Sequence, residues 1–464
     1  MKRRWIWLAA LTMFAATSTG AQTEQMDAYV ISEMARQHVP GISVAVVKDG
    51  KVVSAKGYGL ANVELGAPAT ADTVYEIGSI TKQFTATAIM MLVEGGKIGL
   101  DDKMRKYLPD TPEAWDAVTI RHLLTHTSGI KSYTGIPDFR TIMRQDSKKD
   151  EVIKTVASAP LEFKPGDKFN YCNTGYFLLG MVIEKVSGKS YGDFLAERIF
   201  KPLGMASTRA NDMAEIVKNR SAGYSYRGGA LHNCEFASMT WPFAAGVIIS
   251  TVGDMAKWDA ALYSETLLKK SSLEQMWTPF KLNDGKASNY GFGWAISDKP
   301  GRRSVMHGGG INGFTTDIRR HYDDKLTVIV LTNSDTANPG LISAKIAGMF
   351  APALIVEEAK PITDSDPKTT EMVRRVLLRL TSGHNDSPEL TEEFRKFLTP
   401  ELLRGGVELV KSAGELKSLV LLSMKQEPMR RIARYRATFG DTKIAATFII
   451  NDNGKITGAT MQPE

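Results

Sequence analysis

Strand-like alternation occurs in two stretches far apart in the chain, so the chain must fold back to bring both into one sheet. After Gly41 the segment ISVAVVKDGKVVSAKGYG alternates around Asp49-Gly50, a two-residue hairpin signal. Much later YGFGWAI, SVMHGG, GFTTDIRRHY and LTVIVLTNS read as successive short strands, followed by a helix at LISAKIAGMF. Between them, residues 85–285 carry mostly helical patterning broken by Gly and Pro. The expected fold is α+β: one antiparallel sheet built from both ends of a domain of about 330 residues, flanked by helices and carrying an inserted helical region.

Within that frame Ser79-Ile80-Thr81-Lys82 opens an apolar helical run, TKQFTATAIMMLVE, that stops at Gly95-Gly96. Residues three apart on a helix are neighbours, so the spacing sets a hydroxyl beside an amine. A serine alcohol needs an adjacent base to act as a nucleophile, and a desolvated lysine with lowered pKa can serve. Two other stretches share the spacing, Ser128 to Lys131 and Ser365 to Lys368. The first lies in a glycine-bearing loop and the second is broken by Pro367, so both read as coincidence.

Two further groups can complete such a site. Tyr171-Cys172-Asn173 precedes a helical run; beside a lysine ammonium the phenol is expected to shift down and relay a proton, and the amide to orient substrate and lysine. The plainer reading is a turn tyrosine followed by an Asn helix cap. His307-Gly308-Gly309-Gly310 on a predicted strand lets a substrate backbone approach, and the Gly310 amide can pair with that of Ser79 as an oxyanion hole. Its plainer reading is a glycine-rich strand end or bulge.

Taken together with TIRHLLTHTSGI, FNYCNTGYFLLGMVIEKVSG and FKPLGM, this ordered set resembles the serine β-lactamase and penicillin-binding-protein superfamily. It is closest in kind to the class C β-lactamase-like branch with its esterases, D-aminopeptidases and DD-peptidases, from about Val30 to Phe350. The resemblance implies Ser79 as the acylated nucleophile, Lys82 as general base and Tyr171 as proton relay. It implies Asn173 as a substrate-positioning amide, and His307 to Gly310 as the third, substrate-binding motif. Relatives with β-lactamase activity open that third motif with lysine; His307 is mostly neutral at pH 7, which implies weaker carboxylate recognition and weak or no β-lactamase activity. The implied activity is ester or D-amino-acid amide hydrolysis, with a small-molecule or peptide substrate and no cofactor. Cys172 stands where relatives often carry serine or alanine, an oxidisable thiol beside the site.

The start of the chain, with Lys2, Arg3 and Arg4 before an apolar stretch and small residues at Thr19 and Ala21, reads as a secretory leader over residues 1–21. That places the protein in the periplasm or outside the cell, without a stable membrane span after cleavage. Removing the leader's three basic residues from 58 leaves 55 against 51 acidic ones, scattered rather than striped, which gives no argument for nucleic acid. Cys172 and Cys234 carry no sign that their Cα atoms lie within bridging distance. His122 and His126 have the spacing of helical zinc ligands, but Leu123 stands where a metalloprotease has its acid, so no metal is expected. Gly57-Tyr58-Gly59 lacks the rest of a dinucleotide fingerprint.

The hydrolase domain is expected over 22–354 and a polar linker over 355–365. A small helix-plus-antiparallel-sheet domain follows over 366–464, in which Arg430, Arg431, Arg434 and Arg436 read as a solvated strand face. The competing reading of the whole is a non-catalytic sensor that uses this last domain to bind a partner.

Overall fold

The computed structural model describes residues 4–299, 302–355, 359–399 and 413–463, together with residues 403, 407 and 410. The first helix, α1, runs Arg4–Gln37; the start of the expected leader, residues 1–3, lies outside the described residues. No helix among the described residues is long and apolar enough to cross a membrane. The chain divides into two units, residues 1–226 with 230–355 and residues 356–464 with 227–229.

The larger unit is built on a seven-stranded antiparallel sheet. Its strands are β1 (Gly41–Lys48), β2 (Lys51–Asn62), β3 (Ala67–Pro68), β4 (Ala295–Lys299), β5 (Arg302–Ile311), β6 (Phe314–His321) and β7 (Leu326–Thr332), in spatial order β3-β2-β1-β7-β6-β5-β4. The two ends of the unit therefore meet at the β1–β7 pairing, with Val44 opposite Val330. Asp49 (φ 50°) and Gly50 (φ 74°) both sit in the left-handed region, as a two-residue type I′ turn requires. The expected strand YGFGWAI begins only at Ala295: Gly293 has φ 77°, which breaks the extended run before it.

β1 and β7 are buried on both faces because each covers a different core. Ile42, Val44, Val46, Val328 and Val330 pack with Met26 and Val30 of α1 and with Ile342 and Ile346 from the helix Pro339–Phe350. Ala45, Val47, Ile329 and Leu331 face the helical body that fills the middle of the chain. Each fully buried aliphatic side chain there contributes about 2 kcal/mol through lost contact with water. The middle region is less purely helical than its patterning: Tyr75–Glu76, Ile248–Ser250 and Arg209–Ala210 form a small sheet, and Tyr224–Arg227 pairs with Ala230–Asn233. Strands of two to four residues are too short to leave a period.

The smaller unit packs the amphipathic helix Pro367–Thr381 on a four-stranded antiparallel meander of Leu416–Glu427, Arg430–Phe439, Thr442–Asn451 and Ile456–Pro463. Val373, Val376, Leu377 and Leu380 meet Tyr435, Ala437, Phe448 and Ile450 in its core. The expected second helix is shorter than its pattern, Glu392–Phe397, and its predicted continuation over 400–402 lies outside the described residues. The arginine row is not uniformly solvated. Arg430 pairs with Glu427 and Arg431 with Asp366, Arg434 is exposed, and Arg436 is buried.

Candidate active site

Ser79 lies on a 3₁₀ turn, Gly78–Ile80, that feeds directly into the helix α2 (Thr81–Glu94). Residues 81–92 of α2 are buried around the whole circumference, so the helix runs through the interior and carries Lys82 with it to full burial. Ser79 itself remains half-buried and opens on a cleft of about 140 Å³. Gly78 makes this placement possible: its φ is 51°, and a Cβ there would lie 2.8 Å from the Gly310 nitrogen.

Lys82 Nζ has three neighbours, Ser79 Oγ at 3.0 Å, Asn173 Oδ1 at 2.9 Å and the Ala245 carbonyl at 2.8 Å. Among the described residues no carboxylate offsets its burial, and desolvation holds its pKa well below the ordinary lysine value. A neutral amine has two N–H donors and one lone pair. Asn173 Oδ1 and the Ala245 carbonyl can only accept, so in that neutral form they take both donors and the lone pair is the group that faces the Ser79 O–H; in the ammonium form the third N–H donates to Ser79 Oγ. The Ala245 carbonyl had no signal in the sequence, since any residue type can supply it.

Tyr171 differs from its expected electrostatics. Burial, opposed by the nearby Ser79 hydroxyl, pushes the phenol well above its usual value. The predicted downward shift fails because the cost of burying a phenolate exceeds what its neighbours return; Lys82 Nζ lies over the ring face, 4.8 Å from the centroid, and not beside the phenol oxygen. The phenol oxygen is buried beside the Ser79 hydroxyl. A neutral phenol in this setting can give a proton and is not a resting base.

His126 organises this segment. Its backbone carbonyl accepts from Asn170 N–H, its Nδ1 accepts from Cys172 N–H at 3.0 Å, and its ring packs on Tyr171 at a 35° tilt, 4.2 Å between centroids. His122 Nδ1 instead accepts the Thr119 amide at 3.2 Å within a helix cap, so each of the two histidines spends that nitrogen on backbone. Cys172 donates its thiol to the Ile130 carbonyl at 3.1 Å, and burial raises it to about 11, which suppresses the reactive thiolate. Both cysteines are free. Asn173 is the first residue of the helix Asn173–Ser187 rather than its cap, which is Cys172; this turns the Asn173 amide toward Lys82.

His307 and the three glycines lie on β5, in a strand and not in a bulge. Burial and then proximity to Lys82 hold the imidazole far down, to about 3. Its Nδ1 lies 2.6 Å from the Gly308 carbonyl, which only accepts, so Nδ1 carries the proton and Nε2 accepts from Tyr290 O–H at 2.8 Å. Both nitrogens are thus committed within the protein, and Tyr290 is a partner that the sequence did not flag. The glycines divide by role. A Cβ at Gly309 would collide with the Ile77 carbonyl and Thr316 Oγ1, a Cβ at Gly308 would make ordinary contact, and one at Gly310 would meet open space.

The register fixes where the Gly310 amide points. Tyr322 N–H donates to the Arg303 carbonyl, and bonded pairs in an antiparallel ladder recur every second residue, so odd-numbered residues of β5 bond to β6. The even-numbered Gly310 turns its N–H away from β6. β4 pairs only as far as Met306, which leaves that amide at an open edge facing the turn of Ser79. Ser79 N–H stands in the first turn of its helix, where amides lack intrahelical acceptors. The site thus unites Ser79, Lys82, Tyr171, Asn173 and Gly310, with His307, Gly308 and Gly309 forming the strand behind. The other serine-lysine spacings do not join it: Ser128 Oγ accepts from Ile130 N–H within its own loop, and Ser365 is exposed in the smaller unit.

Known proteins share this arrangement of chain. A family model described as Beta-lactamase matches residues 26–350. Penicillin-binding protein 4* of Bacillus subtilis is 32% identical over 311 residues, covering 63% of this chain and 68% of that protein. Protein flp of Staphylococcus aureus is 28% identical over 68% of this chain, which spans 64% of its length. Among solved structures, an octameric penicillin-binding protein homologue from Pyrococcus abyssi superposes with a TM-score of 0.64 at 28% identity, covering 95% of this chain and 98% of that one. A D-amino acid amidase from Ochrobactrum anthropi SV3 gives 0.63 at 26%, covering 72% and 99%. With the match spanning the whole segment that holds the serine, the lysine and the glycine strand, the chain belongs to the beta-lactamase family, within the serine β-lactamase and penicillin-binding-protein superfamily.

Proposed function

We propose that the protein is an exported serine hydrolase that forms an acyl-enzyme on Ser79 with an ester or D-amino-acid amide, and that its β-lactamase activity is weak or absent. The observation that carries this reading is the commitment of both Lys82 N–H donors to Asn173 and Ala245, which leaves the amine lone pair for the Ser79 proton. Similarity to a D-amino acid amidase and to penicillin-binding proteins supports acyl transfer as the reaction type. The basic and apolar start of the sequence supports export.

Ser79 Oγ attacks the carbonyl carbon while its proton passes to Lys82 Nζ, and the N–H groups of Ser79 and Gly310 hold the oxyanion. Collapse breaks the bond to the leaving group. Tyr171 gives that group its proton and is reprotonated from Lys82. In the second half a water loses its proton to the same lysine and tyrosine pair and attacks the acyl carbon; Ser79 leaves and recovers its proton.

Intact-protein mass spectrometry after exposure to a serine-reactive fluorophosphonate, with p-nitrophenyl ester turnover measured in parallel, tests the reading. The expected result is one adduct and turnover in the wild type and neither in Ser79→Ala. Folded wild-type protein with no adduct and no turnover would refute it. Identification of the mature N-terminus and of the cell fraction checks export.

A further inference from the structure

The walls of the cleft indicate which acyl groups it accepts. Tyr133, Phe139 and Trp241 form an aromatic cluster, with ring centroids 5.7 Å apart for Phe139 against Tyr133 and against Trp241, and Met143 and Ile311 extend the apolar surface. Trp241 donates its indole N–H to the Gln145 carbonyl at 2.9 Å, so its polar edge is spent and only its apolar surface is offered. The polar lining consists of backbone, hydroxyls and amides, among them Thr134, Asn173, Ser238 and Asn312.

No Asp, Glu, Lys, Arg or His is among the described residues lining this cleft. Arg144 pairs with Glu235 at 2.9 Å, and Asp146 accepts from Ser238 at 2.6 Å. Lys82 lies beneath Ser79 with its donors committed, and His307 has both ring nitrogens bonded. A carboxylate or ammonium placed in the cleft would give up water and find no opposite charge. An aryl or branched apolar group would bury its surface against three rings.

We infer that the cleft selects acyl donors that carry no charge beside the scissile carbonyl and whose acyl part is bulky and apolar, an arylacyl ester or amide in class. This rests on the acyl-enzyme reading above and narrows it. Among the proposed substrates, esters and blocked amides are favoured over amino-acid amides with a free ammonium, and with no cationic side chain among the described lining residues to meet a carboxylate, penicillins are expected to be poor substrates.

The test uses the full chain and four p-nitrophenyl esters, phenylacetate, acetate, hemisuccinate and glycinate, with each kcat/KM divided by the rate constant for hydroxide. Phenylacetate is expected to exceed acetate by about tenfold or more, as burial of added apolar groups allows. The hemisuccinate and glycinate are expected to fall about 100-fold below phenylacetate, the scale set by an unpaired charge leaving water. Phe139→Ala should shrink the phenylacetate-to-acetate ratio several-fold, and Ile311→Lys, at a half-buried position, should selectively raise the hemisuccinate. Ser79-dependent turnover in which either charged ester runs within threefold of phenylacetate would overturn the specificity and leave the hydrolase reading standing. Absence of any Ser79-dependent turnover or fluorophosphonate adduct would overturn both.

Discussion

Replacing Asn173 by aspartate changes one atom group at the point where the lysine's protonation is set. Asn173 Oδ1 lies 2.9 Å from Lys82 Nζ, and a carboxylate at the same place would attract the ammonium form. At an effective dielectric constant near 20, two unit charges at that separation interact by about 6 kcal/mol, an upper limit because burying the new carboxylate opposes it. The lysine pKa must therefore rise, and the fraction of amine with a free lone pair must fall at neutral pH. Acylation is expected to drop by ~10²- to 10⁴-fold at pH 7, where each 1.4 kcal/mol is a factor of ten. The acid limb of the kcat/KM profile should move to higher pH, so that much of the loss is recovered in alkaline buffer. Stopped-flow release of p-nitrophenol from an ester across the pH range measures this. Asn173→Leu is the control: it removes the same amide contacts without a charge, and its loss should be independent of pH. If Asn173→Asp kept the wild-type limb, or lost activity equally at every pH, the assignment of Lys82 as the neutral base would be wrong.

Other perturbations test separate parts of the structure. Gly78→Ala forces a Cβ against the Gly310 amide at φ 51°, so kcat should fall about 100-fold with KM little changed, the pattern of a damaged oxyanion hole; equal changes in both would refute it. Burial raises Glu76 to about 7 despite the opposing Arg220 charge, so the folded state binds its proton more tightly than the unfolded state. The contribution of that group to stability is therefore greatest below about pH 4.5 and declines by up to about 3 kcal/mol as pH rises through 7. Glu76→Gln should flatten that decline in denaturant titrations, and an unchanged pH slope would count against it. His126→Ala leaves the buried Cys172 N–H without its acceptor and opens space beneath Tyr171. A loss of about 3 kcal/mol and a lower calorimetric midpoint are expected, and an unchanged midpoint would show that the 170–172 segment is held by other contacts.

Much of this was legible in the sequence because it depends on local pattern. The alternation on either side of Asp49-Gly50 announces a hairpin, and the spacing from Ser79 to Lys82 needs only one turn of helix to bring its groups together. The glycines at 308–310 are visible as a run, but the run does not say that Gly309 is required by the Ile77 carbonyl while Gly310 opens on the cleft. Nor does Tyr171 announce its own pKa, whose direction follows from burial.

By itself the sequence determined the α+β class, the joining of the chain's distant strands in one sheet, and the placing of Ser79 beside Lys82, because hydrophobic period, turn chemistry and helical spacing are properties of neighbouring residues; Tyr171 and Asn173 were marked out only by the family resemblance. Only the tertiary structure decided that Lys82 is buried between two obligate acceptors with its pKa drawn down, that His307 is bonded to Tyr290 and Gly308, and that the described lining of the cleft holds three aromatic rings and no charged side chain. Those outcomes arise from desolvation and from backbone carbonyls supplied by segments remote in the chain. Burial and carbonyl position belong to the packed arrangement and leave no mark on the residues that feel them.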